Sequence, residues 1–284
     1  MADPVSVYEV GPRDGLQNEK RLIPAADKIK LVDLLTAAGF TKIEVTSFVS
    51  PKWVPQMADG AEVLSGIARK PGVTYAALVP NLKGYEAAKA AGAGEVAIFA
   101  SASEGFSQKN INCTIAESIA RFRDVAACAK ADGIPMRGYV SCVTDCPYDG
   151  PTPPREVARV TKLLLDLGCF EVSLGDTIGE GTPETVTRML DAVLDIAQPA
   201  KLAGHFHDTR GRALANIEAS LARGVRTFDA AAGGLGGCPY APGAAGNVAT
   251  GKVVRLLERL GHATGLSLPA LDAAEAFART LRSA

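Results

Sequence analysis

The sequence has almost no excess charge of either sign. Lys and Arg total 30 against 31 Asp and Glu, which gives a formal net charge of −1 at pH 7. Proteins that bind nucleic acid or anionic membranes usually present a surplus of basic residues. The charge balance therefore excludes an electrostatic surface for nucleic acid and favours small molecules or protein as partners.

The chain also lacks the segments that direct proteins into or across membranes. Its first ten residues carry neither a basic flank with a long apolar core nor an Arg-rich amphipathic stretch. The longest uncharged run, 230–251, holds seven glycines and two prolines, which would leave its backbone unsatisfied in lipid. We therefore predict a cytoplasmic protein with no membrane partner, and its six cysteines are expected to be reduced thiols.

Short β-branched runs alternate with Ala- and Leu-rich stretches of helical spacing, a pattern typical of βα units. Eight such runs predict strands at 5–10, 42–47, 74–79, 95–100, 136–143, 171–174, 201–206 and 225–230. Eight parallel βα units in 284 residues predict an α/β fold, the (β/α)8 or TIM barrel. Because no low-complexity linker divides the chain, a single catalytic domain over 1–284 is favoured over a two-domain, doubly wound arrangement.

Histidine is scarce, and two of the three histidines stand together at the end of the seventh predicted strand. His205 and His207 are two residues apart, so both imidazoles point to one face and can converge at the barrel mouth. A pair of hydrogen-bonded core histidines is the alternative. Asp14 follows the first strand. A closed barrel pairs strand 8 with strand 1 and so brings the loops after strands 1, 7 and 8 side by side, which lets the Asp14 carboxylate reach the same ion.

The loop after the eighth strand is rich in glycine, with six in residues 233–247. Ordering so much glycine costs chain entropy, which indicates a use such as closure over a ligand. Cys238 lies in this polar loop, a poor place to bury an inert thiol. Asn247 is predicted to open the last helix, either as a plain N-cap or as an oxygen ligand of a hard cation.

Asp14, His205, His207 and Asn247, with room left for water or substrate oxygens, suit octahedral Mg²⁺ or Mn²⁺ better than closed tetrahedral Zn²⁺. Such an ion polarises a chelating hydroxy-carbonyl or hydroxy-carboxylate and lowers the pKa of its hydroxyl. Arg13, next to Asp14, would neutralise an enolate oxygen as it develops. These parts predict cleavage or formation of a carbon–carbon bond beside a carbonyl.

Further polar residues reach the barrel mouth by the strand count. Glu44 inside the barrel without a partner would be costly, so it is assigned to Arg13 or to a metal-bound water. Ser47 shares the Glu44 side only imperfectly, because regular alternation breaks at the end of the strand. Three more side chains could serve either a substrate or packing, a turn or a helix cap: Tyr139, Ser173 and Asp176.

Six segments together closely resemble the 3-hydroxy-3-methylglutaryl-CoA (HMG-CoA) lyase family over essentially the whole chain. They are EVGPRDGLQNE at 9–19, TSFVSPKWVPQM at 46–57, GYVSC at 138–142, SLGDTIG at 173–179, HFHD at 205–208 and GGLGGCPYAPGAAGN at 233–247. The His-x-His and Arg-Asp-Gly pieces are shared with other metal-dependent barrel lyases and synthases. The cysteine-bearing glycine loop and the 46–57 stretch are specific to the lyases.

The resemblance implies cleavage of HMG-CoA to acetoacetate and acetyl-CoA, a reaction of leucine degradation and ketone-body formation. It implies a divalent cation on the four ligands above, an enolate-stabilising Arg13 and proton transfer by Cys238. Glu44, assigned above from its burial, is predicted to be a third catalytic residue. The implied substrate contacts are Arg13, Gln17, Ser47, Tyr139, Ser173 and Asp176. The initiating base, the native metal and the oligomeric state stay open, with a homodimer as one alternative.

Two rival functions remain at this point. A synthase could condense acetyl-CoA with a 2-oxo acid on the same barrel, although the Cys238 loop disfavours it. A non-catalytic metal-binding barrel could keep the His-x-His but would have no use for Arg13 and Cys238.

Overall fold

The computed structural model describes residues 3–236 and 246–282. Eight parallel strands pair in chain order, and the last pairs with the first, so the sheet is a closed barrel. The strands are β1 (Ser6–Glu9), β2 (Lys42–Ser47), β3 (Thr74–Leu78), β4 (Glu95–Ser101), β5 (Met136–Ser141), β6 (Val172–Asp176), β7 (Leu202–Phe206) and β8 (Thr227–Ala230). The predicted (β/α)8 fold is confirmed, with strand ends within a few residues of those expected.

Helices follow every strand and surround the barrel. They are α1 (Ala25–Ala37), α2 (Gly60–Gly66), α3 (Leu82–Ala90), α4 (Glu104–Ile111), α5 (Ile115–Asp132), α6 (Pro154–Asp166), α7 (Pro183–Leu194), α8 (Ala213–Ala222), α9 (Thr250–Arg259) and α10 (Leu268–Thr280). α5 begins with a reciprocal capping box between Thr114 and Glu117, and α7 places a proline directly after its Thr182 cap. These local signals end the preceding loops and aim the helices back along the barrel.

The start of α9 differs from the prediction. Asn247 does not open the last helix: α9 begins at Thr250 with Ala249 as its N-cap, and α10 follows. Residues 246–248 instead run beside the end of β7, where Val248 N donates to Phe206 O at 3.1 Å. A backbone pairing that the sequence pattern does not encode therefore replaces the expected cap.

The two faces of the barrel strands differ in chemistry. Outward side chains such as Val45, Ile98 and Leu174 are buried against the helices in the main hydrophobic core. The inner positions instead carry charge, because Glu44, Arg137 and Asp229 are all at most 2% exposed. Buried charges are tolerated only when paired, so the barrel interior depends on ion pairs.

Two further expectations concern membranes and thiols. Across residues 3–236 and 246–282, no helix is both long and apolar enough to cross a bilayer. The cysteines in that part of the chain, at 113, 128, 142, 146 and 169, are free.

Candidate active site

The loop after β1 forms one turn, Gly11–Gly15, that presents Arg13 and Asp14 at the carboxyl end of the barrel. The Asp14 amide donates to Val10 O at 2.8 Å, which fixes the turn on the strand. A Cβ at Gly15 would lie 2.6 Å from Leu235 Cβ, so only glycine lets this turn pack against the loop after β8. The first and eighth βα loops are thereby held in contact.

Three side chains meet at this rim in a geometry suited to a metal ion. Asp14, His205 and His207 each offer one ligand atom, and these atoms lie within 4.8 Å of one another. His205 Nε2 is 3.9 Å from Asp14 Oδ2. His207 Nδ1 is buried and has no hydrogen-bond partner among the described residues. A buried ring nitrogen with a free position is what a metal ligand requires.

Asn247 joins the cluster through the backbone. It forms an antiparallel bridge with His207, and the neighbouring Asp208 N donates to Gly246 O at 2.7 Å. The amide nitrogen of Asn247 lies 2.7 Å from Asp14 Oδ2 and 3.3 Å from Leu235 O. All four predicted metal ligands are therefore brought together at one rim.

Arg13 lies between two carboxylates and is 6% exposed. Its Nε donates to Glu44 Oε2 at 2.5 Å, and its Nη1 donates to Asp14 Oδ1 at 2.5 Å. Of the two partners expected for Glu44, the structure thus places Arg13 beside it. The other carboxylate oxygen, Glu44 Oε1, is buried without a partner in the described part of the chain.

Burial and neighbouring charges shift the pKa values of Asp14 and His207. Burial alone would raise the pKa of Asp14, but Arg13 and the two imidazoles lower it to about 2. Burial, reinforced by the neighbouring His205, lowers the pKa of His207 to about 4. At neutral pH the cluster therefore offers a carboxylate anion and a neutral imidazole, the forms in which these side chains bind metal.

Two of the expected substrate contacts lie close to the cluster. Gln17 Nε2 donates to Asp14 Oδ1 at 3.2 Å. Tyr139 faces Arg13, whose guanidinium carbon is 5.5 Å from the centre of the ring. Burial raises the pKa of Tyr139 well above its ordinary value, so the phenol keeps its proton.

The other expected substrate contacts differ in whether their polar atoms already form hydrogen bonds within the protein. Ser47 Oγ is buried and has no partner within the described ranges. Ser173 Oγ donates to Asp229 Oδ2 at 2.7 Å. Asp176 accepts from Thr144 Oγ1 at 2.8 Å and from Gly181 N at 2.9 Å. The polar atoms of Ser173 and Asp176 are therefore hydrogen-bonded within the protein, whereas the Ser47 hydroxyl has no hydrogen-bond partner among the described residues. Cys238 lies outside the described residues.

Sequence reasoning missed three buried charges below the site, Glu9, Arg137 and Asp229. Glu9 accepts hydrogen bonds from Gly11 N, Ala232 N and Thr250 Oγ1, so one carboxylate ties together the loops that carry Asp14 and Asn247. Arg137 donates to Asp229 through both terminal nitrogens. The signal in the sequence that could have found them was a charged residue at an inward position of an otherwise apolar strand.

The fold and the site define a class: parallel (β/α)8 barrels with a candidate metal centre at the carboxyl rim, built on a His-x-His and an aspartate. Within that class the comparison with known families is specific. The chain belongs to the HMGL-like family, which it matches over residues 4–277.

Known relatives agree with this assignment. The chain is 59% identical over 267 residues to the 3-hydroxy-3-isohexenylglutaryl-CoA/hydroxy-methylglutaryl-CoA lyase of Pseudomonas aeruginosa, a match covering 94% of this chain and 89% of the relative. The crystal structure of the Brucella melitensis HMG-CoA lyase matches with a TM-score of 0.98 and 62% identity over 99% of both chains. An Acinetobacter baumannii HMG-CoA lyase in complex with coenzyme A and 3-methylmalate matches with a TM-score of 0.93 and 40% identity, over 98% of this chain and 91% of that one.

Proposed function

We propose that the protein is a carbon–carbon lyase that cleaves HMG-CoA to acetoacetate and acetyl-CoA. Its family and its relatives, which are named HMG-CoA lyases, support this reaction. The observation that carries the proposal is the meeting of Asp14, His205 and His207 beside the Arg13 guanidinium at the barrel rim.

The residues present fit a divalent cation such as Mg²⁺ or Mn²⁺. The donor set of one carboxylate and two imidazoles is close enough to share an ion, and the free Nδ1 of His207 supports this use. Asn247 would complete the set once its amide presents Oδ1, since nitrogen and oxygen exchange places on a 180° turn. When bound, the ion supplies Lewis-acid polarisation of substrate oxygens and a lower pKa for the substrate hydroxyl.

Arg13 is the group we assign to the developing enolate. Breaking the bond between C2 and C3 of the substrate leaves negative charge on the thioester oxygen, and a fixed guanidinium stabilises it. The ion pairs to Glu44 and Asp14 use Nε and Nη1, so they orient the plane of the guanidinium. Glu44 would thus act on the reaction by holding Arg13, and its free Oε1 is in place to receive a hydrogen bond from a bound ligand.

Cys238 is proposed to transfer the proton that converts the enolate to acetyl-CoA. It follows Gly236 by two residues in sequence, and Gly236 lies against the candidate metal site, since a Cβ built on it would be 2.8 Å from Asn247 Nδ2.

Gln17, Ser47 and Tyr139 are proposed to contact the substrate. For Ser173 and Asp176 that role stays a prediction, as do the homodimer and the cytoplasmic location. We also propose that residues 1–284 form one catalytic domain.

A cleavage assay with HMG-CoA tests the proposal. Purified protein with Mg²⁺ should release acetoacetate, and a chelator should abolish the release until metal is restored. Activity that survives complete metal removal would contradict the metal-dependent reaction. Absence of cleavage with metal bound would favour the non-catalytic barrel. A parallel incubation with acetyl-CoA and a 2-oxo acid checks the synthase, for which we expect no product.

A further inference from the structure

Asp229 is a buried carboxylate of the barrel interior whose hydrogen bonds come from three neighbouring strands. It lies in the middle of β8 and is 2% exposed. Its carboxylate accepts four hydrogen bonds: from Arg137 Nη2 at 2.7 Å and Nη1 at 3.2 Å, from Ser173 Oγ at 2.7 Å, and from His205 Nδ1 at 3.1 Å. None of these partners belongs to a surface loop, so the carboxylate is held on all sides by the strands.

The identity of the partners fixes the direction of the bond to His205. Arg137 forms a two-point ion pair with Asp229, with Nη2 at 2.7 Å and Nη1 at 3.2 Å, and a buried carboxyl group paired with a guanidinium in this way is an anion. A carboxylate anion can only accept hydrogen bonds. The hydrogen between Asp229 and His205 therefore sits on Nδ1. In the neutral imidazole this leaves the lone pair on Nε2, the nitrogen that lies 3.9 Å from Asp14 Oδ2.

We propose that Asp229 is a positioning residue of the metal site, which holds His205 as the Nδ1–H tautomer with Nε2 aimed at the ion. Arg137 and Ser173 fix the Asp229 carboxylate by hydrogen bonds. The carboxylate in turn fixes the His205 ring, whose Nε2 lone pair then points to the metal site. This inference rests on the metal site proposed above. Carboxylates behind ligating histidines generally raise metal affinity by orienting the ring and increasing its basicity.

The paired histidine provides an internal contrast. His207 has no such carboxylate: its Nδ1 is buried without a partner in the described part of the chain. The two rings of the His-x-His therefore reach the same point by different means. The His205 ring is held by the Asp229 carboxylate on β8, whereas the His207 ring is held by a hydrogen bond to the backbone of Thr177 and by the backbone bridge between His207 and Asn247.

The tautomer can be measured directly, because the chain has only three histidines. Long-range ¹H–¹⁵N spectra of the full-length, metal-free protein at about pH 9, above the ordinary histidine pKa of ~6.5, should show His205 protonated at Nδ1. A His205→Gln variant assigns the signal. Asp229→Asn should lower the fraction of the Nδ1–H tautomer, because a neutral amide accepts from Nδ1 more weakly than a carboxylate and can also turn its NH₂ toward the ring. As a control, Asp191→Asn makes the same substitution in an exposed ion pair with Arg223 and should leave the tautomer unchanged.

Metal affinity provides the second readout. Titration with Mn²⁺, followed by electron paramagnetic resonance, should show the Mn²⁺ affinity of Asp229→Asn weakened by about 10- to 100-fold, and that of Asp191→Asn within a few-fold of wild type. Wild-type His205 protonated at Nε2, or wild-type Mn²⁺ affinity in a folded Asp229→Asn protein, would overturn the inference. The wild-type spectrum decides the matter even if Asp229→Asn fails to fold. A wild type that binds no Mn²⁺ would overturn the metal site itself, and the positioning role with it.

Discussion

The barrel has two polar regions, an interior layer and the carboxyl rim. Their residue types are similar, but their polar atoms differ in how completely they are hydrogen-bonded. In the interior layer, Arg137 uses Nε on Glu171 and both terminal nitrogens on Asp229. At the rim, by contrast, His207 Nδ1, Glu44 Oε1 and Ser47 Oγ are buried without partners among the described residues. Because an unmatched buried polar atom costs roughly 1–3 kcal/mol, the difference separates a self-sufficient scaffold from a surface that a ligand completes.

The largest expected effect lies at the rim. His207→Gln removes Nδ1, which bonds to no described residue, and keeps a side-chain NH that can reach the backbone of Thr177 as the ring does. The folded protein therefore loses little, whereas the metal site loses a ligand. We expect kcat/KM for HMG-CoA cleavage to fall by at least about 10³-fold, or ~4 kcal/mol. The free energy of unfolding should stay within about 1 kcal/mol of wild type. Steady-state kinetics and urea denaturation of the metal-free protein measure the two quantities. A strongly destabilised variant would break the comparison.

The interior layer should show the opposite behaviour. Arg137→Met leaves Asp229 and Glu171 as buried carboxylates without their common cation. Breaking a buried ion pair in this way typically costs about 3–5 kcal/mol of stability, which urea denaturation of the metal-free protein measures. As a matched control, Arg155→Met on the exposed start of α6 should change stability by less than about 0.5 kcal/mol. Equal stability of the two variants would show that the interior charges are not a scaffold.

Glu9 links the two regions and should show itself in the pH dependence of stability. Burial raises its pKa to about 7, so the folded protein holds this proton more tightly than the unfolded chain. The resulting stability is fully present below about pH 4.5, the ordinary glutamate range, and is lost as the pH rises through 7, a change of roughly 3 kcal/mol at most.

Glu9→Gln cannot titrate but can still accept from the two amides and donate to Thr250. The loss of stability between pH 5 and pH 7 should therefore be shallower in this variant, as measured by denaturation at each pH. Glu258→Gln, on the exposed side of α9, should keep the wild-type slope. An unchanged slope for Glu9→Gln would contradict the role of burial.

The smallest expected effect tests whether the Ser47 hydroxyl at the rim forms a hydrogen bond with the substrate. Ser47→Ala deletes a hydroxyl without a described partner, so stability should be unchanged or rise by up to about 1 kcal/mol. The KM for HMG-CoA should increase by roughly two- to tenfold if the hydroxyl bonds the substrate, since such a bond contributes about 0.5–1.5 kcal/mol. Thr161→Val, which removes a similarly unpartnered hydroxyl in α6, should leave KM unchanged.

The barrel and the members of the metal cluster could be predicted from sequence because each leaves a local trace. Strand and helix periodicity gave the eight βα units. Barrel closure then brings the loops after strands 1, 7 and 8 together, which is why Asp14 could be joined to His205 and His207 without coordinates. The meeting of these side chains depends on strand order, and strand order follows from the pattern.

The remaining features depend on pairings that no local pattern encodes. Asn247 was expected at the start of a helix, but a backbone bridge to His207 places it two residues before the Ala249 cap. Asp229 and Arg137 are separated by 92 positions and meet only inside the closed barrel. A single charged residue in an apolar strand signals that a partner exists, but it does not say which one.

The bond between Asp14 and Asn247 joins residues 233 positions apart, at opposite ends of the chain. During synthesis the first strand emerges long before the last, and such long-range contacts form late in folding. The proposed metal site is consequently incomplete in any partly made chain that ends before Asn247. If the proposed site binds its ion, all four ligands are available only after the eighth strand has joined the first, so we expect a bound ion to mark a molecule whose barrel has closed.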